Sequence, residues 1–156
     1  MNNQILVTGG RPNSKKGFLS ITRYGLKLKT ILSVNCTAPL GIWTIKKQSS
    51  DQYHSYIVLT YSTRKTVTYL YEVNKIVQCN DLKLSDSELT LNVTRFGDNS
   101  IVQVAHFMVK YISNNGTSST HNIKGRALRA TAVQDGRQAM VSLIGGYLEY
   151  YEVINN

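Results

Sequence analysis

Apolar residues recur along this chain in short runs, each closed by a polar or glycine-bearing link, and no stretch carries apolar positions at helical spacing. Tyr56 to Tyr61 (YIVLTY) and Thr66 to Val73 (TVTYLYEV) flank Ser62, Thr63, Arg64 and Lys65, a length that suits a hairpin loop. Ile101 to Ala105 and Met108 to Ile112 pair in the same way across His106 and Phe107. Ala139 to Ile144 and Tyr147 to Val153 form a third hairpin across Gly145 and Gly146, where glycine supplies the positive φ that a two-residue turn demands. Ile5 to Thr8 and Phe18 to Tyr24 open the chain as a looser hairpin around a basic loop.

A strand precedes each of the three later hairpins: Gly41 to Lys47, Leu89 to Phe96 and Ala127 to Val133. Further short strands follow the opening hairpin and the next two, at Lys29 to Asn35, Lys75 to Asn80 and Ser119 to Lys124. The unit is therefore strand, hairpin, strand, and it recurs at about 40 residues, the period of a four-stranded propeller blade. A β-sandwich or barrel, which also alternates strands and turns, is the alternative to it, and the repeat favours the propeller. The expected fold is all-β, a partial β-propeller of about three to four antiparallel blades, with residues 1–156 as one domain. Its parts are a partial blade at 1–36, whole blades at 40–80 and 88–125, and a partial blade at 126–154. Raw strand edges at both ends then imply a segment of a longer propeller, or missing strands supplied by another segment.

Composition sharpens this picture in two places. The chain is dense in Val, Ile, Thr and Tyr and has only two prolines, as strands require. Its net charge of +9, from 18 basic and 9 acidic residues, implies attraction to something acidic: RNA, DNA or a protein face. Lys15 and Lys16, Lys46 and Lys47, Arg64 and Lys65, and Lys124, Arg126 and Arg129 fall at loops or strand ends. They form either a phosphate-contacting rim or solvated strand ends that discourage edge pairing. Lacking a long apolar span and a signal-peptide pattern at Met1 to Gly10, the chain reads as soluble and intracellular.

The residues of the types that carry chemistry do not assemble. Val7 to Gly17 (VTGGRPNSKKG) imitates a phosphate loop, but Phe18 stands where such a loop needs lysine and then Ser or Thr. His54, His106 and His121 lie far apart, and Cys36 and Cys79 lack a CxxC or a nearby histidine, so no metal centre is expected and both thiols read as reduced. Asp51, Asp81, Asp86, Glu88, Asp98 and Asp135 occupy loops and recur at no fixed blade position, unlike the paired acids of a propeller glycosidase. No catalytic, cofactor-binding or metal residue is assigned, and the chain reads as a non-enzyme. Tyr56, Tyr61, Tyr69, Tyr71, Tyr147, Tyr150 and Tyr151 fall in strands, where packing between blades outranks base stacking. Trp43 is expected to anchor the core between blades. Asn35, Asn92 and Asn115 head N-x-T sequons that are expected to stay unmodified without a secretory signal.

Laid out as blades, the residues resemble a known family. Arg23-Tyr24-Gly25-Leu26, Gly41 to Lys47 (GIWTIKK), Tyr56 to Tyr61, Phe96 to Val104 (FGDNSIVQV) and Ala139 to Val153 (AMVSLIGGYLEYYEV) are similar to the large triple-propeller subunits. That family serves splicing factor 3B, DNA-damage binding, and cleavage and polyadenylation. The splicing type is most similar, through the tryptophan followed by Thr, an aliphatic and two basic residues, and through the Gly-Gly hairpin with its aromatics. Asp81 to Glu88 and Ser113 to Ser119 depart from it. The resemblance implies the start of the middle propeller of three, working in the nucleus as a scaffold of the U2 small nuclear ribonucleoprotein. It also implies partners among the subunits of a large splicing complex, including a helical-repeat protein, with RNA contact indirect and with no membrane, small-molecule substrate or cofactor. The alternatives are a basic nucleic-acid-binding module, or a propeller of the DNA-damage-binding or polyadenylation type.

Overall fold

The structure is a computed structural model that describes residues 4–10, 17–23, 30, 33, 35, 36, 38–63, 65–73, 75–133 and 137–154, with side chains from residue 30 onward and backbone alone at 133. The chain forms two compact units, Met1–Ser33 and Val34–Asn156. The first holds one antiparallel hairpin, β1 (Gln4–Gly10) and β2 (Gly17–Arg23), in register from Gln4 opposite Arg23 to Gly10 opposite Gly17.

The second unit holds three antiparallel sheets built in chain order. The first comprises β3 (Gly41–Lys46), β4 (His54–Thr60), β5 (Thr66–Glu72) and β6 (Lys75–Cys79). The second comprises β7 (Thr90–Arg95), β8 (Ile101–Ala105), β9 (Met108–Ile112) and β10 (Ser118–Asn122). The third has β11 (Ala127–Val133), β12 (Gln138–Leu143) and β13 (Leu148–Glu152). These are the strand, hairpin, strand modules that the pattern predicts. The strand expected at Lys29 to Asn35 lies mostly outside the described residues, and Thr30, Ser33 and Asn35 carry no strand.

The sheets approach one another through their first strands, β3 beside β7 and β7 beside β11. All three point the same way. The end of β3 meets the end of β7, where Arg95 Nε donates to the Lys46 carbonyl at 2.9 Å. The start of β11 meets the corner beside the start of β7, where the Ala127 amide donates to the His106 carbonyl at 2.7 Å. First strands that are parallel and adjacent, with later strands fanning outward, are the geometry of propeller blades.

Two apolar layers fill the gaps between sheets. Ile45, Tyr56, Val58, Leu82, Val93, Ile101 and Ile112, with Trp43 partly buried, lie between the first sheet and the second. Phe96, Val102, Val104, Val109, Ala139, Val141 and Leu143 lie between the second and the third. Strand β8 serves both layers and is buried at all five positions, which is why IVQVA is apolar everywhere but Gln103 rather than alternating.

One polar lattice sits inside this core. Gln103 Nε2 donates to Thr90 Oγ1 and to the Ser85 carbonyl, both at 2.8 Å, while its Oε1 accepts the Ser85 amide at 2.7 Å. Thr90 Oγ1 also pairs with Thr66 Oγ1 at 2.8 Å, and the Thr90 amide donates to Thr60 Oγ1 at 3.3 Å. Buried polar groups are tolerated when their hydrogen bonds are made, and here those bonds tie the first sheet to the second.

Three hairpins share one hydrogen-bond pattern at their turns. Phe96, Ser113 and Leu143 each donate an amide to the carbonyl four residues on and accept from the amide three residues on, leaving three-residue loops. The third loop residue takes a positive φ in each: Asn99 (68°), Gly116 (83°) and Gly146 (81°). This is a turn followed by a left-handed residue, a common three-residue hairpin closure. The link at Gly145 and Gly146 is therefore three residues long rather than two, because Leu143 bonds Tyr147 and draws Ile144 into the loop.

Gly41 opens β3 beneath the Trp43 ring, whose nearest carbon would lie 2.4 Å from an added Cβ. Gly41→Ala is expected to displace the indole and to cost about 1–3 kcal/mol, read as a lower urea midpoint with altered Trp43 emission. An unchanged midpoint would show that the ring yields freely.

Candidate interaction surface

Strand direction divides the second unit into two rims. One carries the starts of β3, β7 and β11, the β4–β5 turn and the β8–β9 corner; the other carries the ends of the first strands and the shared three-residue turn after β7. The basic residues do not converge on one of them. Lys46 and Lys47 lie at the end of β3, whereas Lys65, Lys124, Arg126 and Arg129 lie by the β4–β5 turn and the start of β11. The single basic surface that loop positions suggest is thus split, because Lys46 and Lys47 close a first strand and Arg126 precedes one. Lys15, Lys16 and Arg64 lie outside the described residues.

Of the candidate acids, Asp51, Asp81, Glu88 and Asp98 are occupied by structure, and Asp86 is exposed. Asp51 accepts the Gln48 amide at 2.8 Å, and Glu88 accepts the Phe107 amide at 2.9 Å. Asp81 accepts the Tyr56 hydroxyl at 3.2 Å, and burial followed by the nearby carboxylate pushes the Tyr56 phenol up to about 12. Asp135 lies outside the described residues. Asp98 accepts the Ser100 amide at 3.0 Å and the Ser100 hydroxyl, and it pairs with Arg137 at 2.8 Å, joining the second sheet to the third.

Burial by itself pushes the Asp98 carboxyl up, but the two Ser100 bonds and the Arg137 charge outweigh it and hold the group below its ordinary value of 3.8. A lowered folded-state value stabilises the fold above 3.8, and that stability is lost as pH falls through the folded value. The stability difference between wild type and Asp98→Asn is therefore expected to shrink as urea titrations move from neutral pH to below that value. A difference that stays constant would refute the ionic origin of the link.

The histidines stay apart. His54 Nδ1 sits 2.7 Å from Thr44 Oγ1, His106 meets the Phe107 ring edge-on, and His121 meets Tyr151 with centroids 5.5 Å apart. Among the described residues no three His, Cys, Asp or Glu side chains are grouped to hold a metal ion. The loop of Val7 to Gly17 joins two strands of a hairpin, although residues 11–16 are outside the description. A strand therefore follows it where a phosphate loop would need a helix. Cys79 ends β6 and its thiol is raised chiefly by burial, while Cys36 is exposed and outside any strand.

The tyrosines divide. Tyr56 is buried and Tyr151 is half-buried, its phenol raised by burial and by its bond to Glu149. Tyr71, Tyr147 and Tyr150 are exposed, and Tyr147 lies just before β13, so packing between blades does not account for all of them. Of the sequons, Asn35 and Asn115 are exposed, whereas Asn92 lies in β7 with its Oδ1 buried.

What these sheets offer is surface. Leu40 and Leu128 stand exposed on the rim of strand starts, at the mouth of a cleft that also holds Trp43 and Arg129. The sheet faces turned away from these two layers are apolar too: Ile42, Ile57, Leu59 and Tyr69 line a hollow of about 270 Å³ on the first sheet, and Met140 and Leu148 line another on the third. Such faces are blade faces, and the architecture is that of a β-propeller.

Residues 28–156 match the family model of the RSE1/DDB1/CPSF1 second β-propeller, and the chain belongs to that family. It is 28% identical over 152 residues to pre-mRNA-splicing factor prp12 of Schizosaccharomyces pombe, covering 97% of this chain and 12% of that protein. It is 28% identical over 150 residues to spliceosome-associated protein 130 A of Arabidopsis thaliana, covering 96% of this chain and 12% of that protein. It is 29% identical over 140 residues to the probable splicing factor 3B subunit 3 of Dictyostelium discoideum, covering 86% and 11%. The chain thus spans about an eighth of the length of these relatives. The middle-propeller position implied by the sequence resemblance agrees with the second-propeller family model.

Proposed function

We propose that this chain is a segment of a non-catalytic β-propeller scaffold in the splicing factor 3B complex of the U2 small nuclear ribonucleoprotein, acting in pre-mRNA splicing in the nucleus. The observation that carries this reading is similarity along nearly the whole chain to relatives named as splicing factors, within a propeller family. The site chemistry supports it, since Asp51, Asp81, Glu88 and Asp98 each accept a structural hydrogen bond in place of facing a substrate. Residues 1–156 form one stretch of propeller in this reading, with partial blades at 1–36 and 126–154 around whole blades at 40–80 and 88–125. Its partners are other subunits of a large splicing complex, including a helical-repeat protein.

An epitope-tagged polypeptide carrying this segment, purified from its own cells, is expected to bring down a helical-repeat subunit and U2 RNA. Recovery of no splicing component would overturn the reading. A second reading, direct nucleic-acid binding, draws on the charge of +9 and on the finding of only two ion pairs among the described residues. It requires affinity for RNA that falls steeply with salt; the division of the basic residues between two rims argues against it.

A further inference from the structure

We propose that the rim formed by the starts of β3, β7 and β11 docks a partner protein through a segment that places an apolar side chain beside a carboxylate. This rests on the scaffold reading and names the surface that would serve it. Leu40 stands just before β3, Leu89 just before β7, and Leu128 is the second residue of β11. Each of three consecutive sheets therefore brings a leucine to the same rim. Leu40 is 62% exposed and Leu128 51%, and Leu89 is half-buried.

All three line one cleft of about 330 Å³ together with Trp43, Leu91 and Arg129. A single exposed leucine needs no explanation, but several meeting a tryptophan in a concave site make the kind of apolar patch that marks an interaction surface. The floor is rigid, because Thr60 and Thr90 of the same cleft belong to the buried lattice centred on Gln103. A mouth held in shape loses little entropy when it is filled.

Charge selects the occupant. Lys124, Arg126 and Arg129 lead into and begin β11 with no acid between them, and all three are exposed. Among the described residues none of them is ion-paired; the two pairs present are Lys75 with Glu72 and Arg137 with Asp98. Glu88, the acid beside Leu89, is engaged by the Phe107 amide. The cleft thus sets leucine and tryptophan side chains beside threonines, with an unpaired guanidinium at its edge, which matches a leucine- or phenylalanine-like side chain followed by Asp or Glu.

Random peptides displayed on phage and panned on the 156-residue chain test this. Enriched sequences are expected to carry an apolar residue within a few positions of Asp or Glu. A synthetic copy of one is expected to lose at least about tenfold in affinity on Leu128→Ser, the loss typical of a central anchor. Arg129→Glu is expected to abolish the acidic preference. Both side chains are exposed, and unchanged thermal midpoints will show that the variants fold. Enrichment without acidic bias, equal affinity on the variants, or oligouridine displacing the peptide from the cleft would overturn the proposal. Carrying Leu128→Ser and Arg129→Glu into the tagged polypeptide separates the two readings. If wild type and variant recover splicing components equally, the docking rim fails while the scaffold stands.

Discussion

Phe96→Ala is expected to cost the fold about 3–5 kcal/mol, the usual range for removing a fully enclosed aromatic ring. Phe96 is completely buried in the layer between the second and third sheets, against Val102, Val104 and Val141. Its backbone also closes the turn after β7, donating to the Ser100 carbonyl at 2.8 Å. The side chain is thus packed between two blades by a hairpin that has no slack to collapse. Urea unfolding followed by Trp43 emission reads the loss, since Trp43 is the only tryptophan and packs in the other layer. A midpoint within experimental error of wild type would mean that the third sheet does not rest on the second as described.

Gln103→Leu ranks next, with an expected loss of about 2–4 kcal/mol from polar partners left without their bonds around a fully buried position. The substitution keeps the side-chain volume but leaves the Ser85 amide and carbonyl without their bonds and removes one donor from Thr90. Because the lattice crosses from Thr60 and Thr66 of the first sheet to Thr90 of the second, the loss should register in one cooperative transition. Gln103→Glu sharpens the test: at neutral pH it retains the acceptor for Ser85 and discards both donated bonds. Wild-type stability in both variants would show that the bonds are not formed in solution.

Much of the fold is legible in the sequence because each strand carries its own local instruction. Ile101 to Ala105, Met108 to Ile112 and Ala127 to Val133 coincide with β8, β9 and β11 at both ends, since polar or glycine-bearing links mark the boundaries. The turn at Gly145 and Gly146 is one residue longer than its glycines suggest. Its length is set by which amide meets which carbonyl, and composition does not encode that.

The interaction surface was less legible for a physical reason. Loop charges such as Lys47 and Arg126 look alike along a chain, yet one follows a first strand and the other precedes one, so they fall on opposite rims. Leu40, Leu89 and Leu128 read as strand-opening apolar residues until the parallel first strands bring their starts together. The lattice around Gln103 is hidden for a different reason: a polar residue inside a strand ordinarily faces water, and only the doubly covered position of β8 turns it inward.

Radial stacking of the sheets is the claim from which the scaffold reading follows, and it can be measured directly. With Cys36 and Cys79 replaced by serine, nitroxides at Thr44 and Thr94 report the spacing of the first strands β3 and β7. A second pair at Gln78 and Ser119 reports the last strands β6 and β10. Pulsed electron spin resonance is expected to give a clearly longer separation for the outer pair, as blades spreading from an axis require. Equal separations for the two pairs would mean sheets stacked face to face, and would contradict the propeller.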